Sequence, residues 1–96
     1  MTAALLILVA AHAFDYFSFI VMTAKHGLAA EANPVVIHLA EAFGLPGLTF
    51  AKLGSVAFLA GVAILAAPQR PKVAGMLVAI GITAGMIGGI SNVASI

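Results

Sequence analysis

Glu31-Ala32-Asn33-Pro34 is the stretch on which the fold turns. It lies in the first polar break of the chain, between two long apolar runs. Asp15 sits late in the run before it and Lys52 early in the run after it. Asn is a favoured helix N-cap and Pro a favoured first helical residue, so Asn33-Pro34 reads as a helix start. Gly27, just upstream, reads as a helix stop. A helix therefore ends, the chain turns, and a second helix begins. What solvent those helices face decides the rest.

Composition answers that question. Of 96 residues, 64% are hydrophobic and 7% charged, and mean hydropathy is +1.23. A soluble domain carries about 25% charged residues, so this chain has too few polar groups to cover a water-facing surface. A bilayer is the solvent that suits it. The formal net charge of +1 leaves no basic patch for nucleic acid and no acidic tail. There is no cysteine, which excludes a disulfide framework, a thiol nucleophile and thiolate-ligated metal or clusters.

Working outward from the break, residues 2–24 form the first apolar run. At about 1.5 Å per residue, roughly 20 residues cross a 30 Å hydrocarbon core. The run lacks an early Lys or Arg and continues past Ala11-His12-Ala13. It therefore reads as a retained transmembrane helix rather than a signal peptide. His12, Asp15 and Ser18 recur along one side of it. After the break, residues 34–43 read as a short amphipathic helix, too short to span, lying at the interface or folding back on the bundle. Gly44-Leu45-Pro46-Gly47 ends it. Residues 48–67 and 73–94 are the second and third spans, joined by the basic turn Pro68-Gln69-Arg70-Pro71-Lys72. The expected fold is an all-α integral membrane protein in one domain: three transmembrane helices plus the interfacial helix. The positive-inside rule puts Arg70 and Lys72, and with them the N-terminus, in the cytoplasm of a multi-pass cell-membrane protein.

The ionisable groups inside the spans are the candidate site. Asp15 lies about nine residues before the end of the first span and Lys52 a few residues into the second, both counted from the same membrane face. Their depths agree within roughly 5 Å, so the two are expected to pair. Either charge alone costs about 2.5–3.5 kcal/mol at mid-membrane. One reading makes the pair a clamp between helices. The other makes Asp15, Ser18, Glu31, Asn33 and Lys52 a site for a proton, an ion or a small polar ligand. Lys52 also has the option of snorkelling toward Glu31. His12-x-x-Asp15 and His38-x-x-Glu41 are two half-sites that together have the donors for a divalent metal. A hydrolase reading lacks a base set against Ser18, because His12 is six residues away on the same helix.

Gly81, Gly85 and Gly89, with Gly88 beside them, leave a groove along one face of the third span. That groove suits packing within the chain, a homo-oligomer seam, or a partner in a larger membrane complex, with the lipid bilayer around it. Ser91, Asn92 and Ser95 add hydrogen-bonding groups at its far end.

Asp15, Ser18, Gly27, Glu31-Ala32-Asn33-Pro34 and Lys52 together resemble a DUF5658-like family of small bacterial and archaeal membrane proteins of unknown function. That pattern runs Asp-x-x-Thr, then Gly-x-x-Glu-x-Asn-Pro, then an intramembrane lysine. Here Ser18 stands in place of the threonine, and the Gly27-to-Glu31 spacing is one residue longer. The resemblance covers roughly residues 14–63. It implies one polar cluster of Asp15, Glu31, Asn33, Pro34 and Lys52, and no activity comes with it.

Overall fold

The computed structural model describes residues 1–31 and 33–96; the middle residue of Glu31-Ala32-Asn33 lies outside that description. Helix α1 runs Thr2–His26, a 3-10 turn Leu28–Ala30 follows, and α2 (Pro34–Ala66) and α3 (Pro71–Ala94) complete the chain. Among the described residues there is no strand. All three α-helices are long and apolar enough to cross a membrane. The fold is an all-α three-helix bundle.

The helix ends obey local chemistry. Gly27 adopts φ 76°, ψ −179°, a conformation that side chains disfavour, and its N–H closes the last turn of α1 on the Thr23 carbonyl. Lys25 and His26 belong to that last turn rather than to the connection, where positive groups suit the helix dipole. Asn33 Oδ1 accepts from the Val35 N–H at 3.0 Å, and Pro34 occupies the first turn of α2. Pro71 likewise starts α3.

Residues 34–43 are helical, as expected, and the non-helical Gly44 (φ 70°, ψ −174°) kinks the chain there, so α2 is two helical pieces on either side of that residue. The break there serves Pro46, whose ring would otherwise meet the carbonyl of Ala42 in an unbroken helix. Gly44→Ala is expected to cost about 1–3 kcal/mol, because an L side chain is strained at that φ. Gly54→Ala, at a helical position where an added Cβ meets nothing, is expected to be neutral or to gain about 0.5–1 kcal/mol. Thermal unfolding of the two variants in detergent separates conformational strain from simple loss of a glycine; equal midpoints would show that Gly44 carries no strain.

Helices α1 and α3 run parallel and pack along their whole length, whereas α2 touches α3 less and α1 least. Leu8, Ala11, Ser18 and Met22 are buried on α1, and Ala74, Val78, Gly81, Gly85, Gly89 and Asn92 on α3. Spacings of three and four on both helices are those of a coiled-coil-like seam. The glycines make it close. A Cβ at Gly85 would lie 2.9 Å from the Ala11 carbonyl carbon, one at Gly81 would lie 2.7 Å from Leu8 Cδ1, and one at Gly89 would strike the Phe14 ring. The glycine groove is thus filled by the chain's own α1 and, at Gly81, by Leu59 of α2. Of the alternatives open for Gly81, Gly85, Gly88 and Gly89, packing within the chain is the one the fold uses, and a homo-oligomer seam along them is not supported. α1 offers Ala11 and Leu8 at matching intervals, and the closeness of the backbones leaves no room for a second copy on that face.

Candidate functional site

The seam carries three linked polar side chains, Asp15, Ser18 and Asn92. α1 is 25 residues long, roughly 37 Å, and Asp15 lies near its middle. Gly88 of α3 faces it. An added Cβ there would lie 2.6 Å from Asp15 Oδ1, so the missing side chain is the seat of the carboxylate. Asn92, one turn further along α3 and buried, aims its amide at the same place. Its Nδ2 donates toward Asp15 O at 3.0 Å, Asp15 Oδ1 at 3.1 Å and Ser18 Oγ at 3.1 Å. Ser18 in turn donates to the Asp15 carbonyl at 3.0 Å. Buried polar groups in an apolar medium need such partners, since each one left unpaired costs several kcal/mol.

Lys52 reaches across from α2 and donates to Asp15 Oδ2. Both carboxylate oxygens are therefore held, one by the ammonium and one by the Asn92 amide. Among the described residues this is the sole ion pair. The two side chains keep 24% (Lys52) and 23% (Asp15) of their surface accessible, so the pair faces an opening rather than a sealed core. A turn away, Tyr16 Oη and Thr49 Oγ1 share a hydrogen bond of 2.8 Å. The ion pair and this bond tie α1 to α2 alongside the apolar cluster of Phe19, Met22 and Leu48.

The opening is a cleft of about 790 Å³ where α2 stands off from the α1–α3 pair. At one end His12 and Gly81 line it, with the His12 Nε2–H donating to the Gly81 carbonyl at 2.8 Å. The other His12 nitrogen, Nδ1, is buried and, among the described residues, has no partner. At the other end are Glu31 and Asn33. Glu31 Oε1 accepts from the Asn33 N–H at 3.0 Å, which curls the carboxylate over the start of α2. Asp15 and Lys52 lie between. The walls are predominantly apolar, from Phe19, Leu39, Leu48, Val56 and Ile87 among others. A volume of this size, with apolar walls and a few convergent polar groups, suits a small ligand.

The structure thus brings Asp15, Glu31, Asn33 and Lys52 to one cleft, with Ser18 behind Asp15. It does not assemble the metal site that His12, Asp15, His38 and Glu41 suggested. Among the described residues no group of three His, Asp or Glu side chains converges for a metal ion. The reason is the face α2 presents. Val36, Leu39 and Ala40 pack against Phe19, Met22 and Leu48. That turns His38 and Glu41 outward, where both are exposed.

Asn92 is the residue whose role in the site the sequence left unstated. Its signal was present: an amide late in an apolar span, at the next seam position after the glycines. Gly88 is the second. It looked like an accessory to the groove and instead seats the carboxylate.

No family model, curated protein or solved structure matches this chain.

Proposed function

We propose that the chain is a small multi-pass membrane protein that binds, and in binding moves or senses, a proton, an ion or a small polar ligand in the cleft around Asp15 and Lys52. The observation that carries this reading is the exposure of the ion pair to the cleft. A pair serving only to clamp helices is best sealed from solvent and lipid, yet this one forms part of a cavity wall. The cluster is also built to stay in place: Gly88, Asn92 and Ser18 fix the carboxylate on the most tightly packed seam in the molecule. Preorganisation of that kind lowers the ordering cost of binding. Four of the residues that carry the DUF5658-like resemblance, Asp15, Glu31, Asn33 and Lys52, line the cleft. In this reading Arg70 and Lys72 mark the cytoplasmic side and the N-terminus shares it.

The second reading is an accessory subunit of a larger membrane complex. It is favoured by α2, whose span is the least buried of the three and whose outer face exposes Phe50, Phe58 and Leu65. With the glycines used internally, contact with a partner or another copy would fall on that face.

A native mass spectrum of the protein released from detergent tests the cleft reading. The wild type is expected to retain a small non-protein mass, and the double variant Asp15→Asn/Lys52→Met to lose it while keeping its helix content. A bare wild-type chain, or a mass retained equally by the double variant, would remove the cleft as the binding site. A second protein held in the same spectrum would favour the accessory subunit.

A further inference from the structure

The charges lining the cleft do not balance. Asp15 and Lys52 satisfy each other, but Glu31 also faces the cleft and, among the described residues, has no cationic partner. Its one bond through Oε1 goes to a backbone N–H. The carboxylate lies at the loop end of the cleft, in the connection before α2, outside the apolar run that follows Gly44. Below it the walls are apolar, and two aromatic rings, Tyr16 and Phe19, line the same space. Ring faces attract cations and repel anions. The polar end is thus acidic, and the deeper walls suit an apolar body.

Resting on the cleft-binding reading above, we infer that the ligand is a lipophilic cation: an amphiphile with a positively charged head and an apolar body. The head pairs with Glu31 at the cleft mouth, and the body lies against Phe19, Leu39 and Leu48. Lys52 is held by Asp15 and so does not cancel the attraction at the mouth. An anionic amphiphile of equal size would place its charge beside Glu31 without a free counter-charge, and repulsion there works against it.

Tetraphenylphosphonium and tetraphenylborate have nearly the same size and shape and opposite charge, which makes them the probes. Each is equilibrated by dialysis with the purified protein in a neutral detergent, with protein-free micelles as the blank. The phosphonium is expected to bind saturably at one per chain, about tenfold more tightly than the borate. Glu31→Gln, at a partly exposed position outside the seam, is expected to abolish most of that preference with the helix content unchanged. Equal or tighter binding of the borate would overturn the cation assignment while leaving the cleft as a binding site. A phosphonium preference unaltered in Glu31→Gln would overturn the role of Glu31 and with it the inference. Saturable binding of neither ion would also overturn it. The mass retained by the unprobed wild type then decides separately whether the cleft binds anything.

Discussion

Lys52→Met is expected to destabilise the bundle by about 2–4 kcal/mol, and adding Asp15→Asn to it is expected to restore most of the loss. The single change leaves the Asp15 carboxylate near the middle of α1, facing apolar walls with no counter-charge. Asn92 still holds one oxygen, but an amide does not neutralise a charge in a low-dielectric medium. The reverse change, Asp15→Asn, is milder. Lys52 sits on the helix that packs least tightly, and its long side chain is able to snorkel toward the loop end. In the double variant neither charge remains, and an amide at position 15 keeps groups that can bond Asn92. The cycle therefore predicts a favourable coupling of about 2–3 kcal/mol between the two positions. Denaturation by dodecyl sulfate, followed by circular dichroism, measures all four proteins. Strict additivity would mean that the two side chains do not depend on each other. A recovered double variant is also what makes the mass-spectral test interpretable, because it removes the ionic pair without removing the fold.

Much of this arrangement is legible in the sequence, for a physical reason. In a chain with so few charges, each one inside a span must find a partner, and counting residues from a shared turn gives its depth. Asp15 and Lys52 meet as that count requires. Gly27 and Asn33-Pro34 mark helix ends because their backbone preferences act locally. The sequence does not show which way each helix faces. Lipid-facing and core-facing positions are both apolar, so the contrast that reveals the buried side of a soluble helix is absent. That is why His38 and Glu41 gave no warning that they point outward, and why the glycines read equally well as an internal or an external seam. Gly44 was visible as a break, and its backbone kinks α2 into two helical pieces. Asn92 becomes part of the site only once α1 and α3 are known to run parallel with Ser18 and Asp15 at its level.

Gly85→Val is expected to be the most damaging single change on the seam. The alanine variant already places a Cβ 2.9 Å from the Ala11 carbonyl carbon and 3.1 Å from its oxygen. Those are backbone atoms of a packed helix, and they cannot rotate aside as a side-chain tip would. Relief requires α1 and α3 to move apart, which also lifts Gly81 from Leu8 and Gly88 from the Asp15 carboxylate. Overpacking of a core typically costs about 1–3 kcal/mol; here the two methyl groups of valine and the shared seam place the cost at or above the top of that range. Gly75→Val is the control, since an added Cβ at Gly75 meets nothing. Combining Gly85→Ala with Ala11→Gly is expected to recover only part of the loss from Gly85→Ala alone. It removes the Ala11 Cβ at 3.1 Å and leaves the two backbone atoms. The same variant separates the two uses of the groove. If α1 fills it, as here, the Gly85→Val loss is the same at every protein-to-detergent ratio. If a second copy filled it, the loss would grow with protein concentration, because association adds stability by mass action in the wild type alone. A concentration-dependent difference between wild type and Gly85→Val would therefore overturn the intrachain seam and, with it, the seating of Asp15 against Gly88.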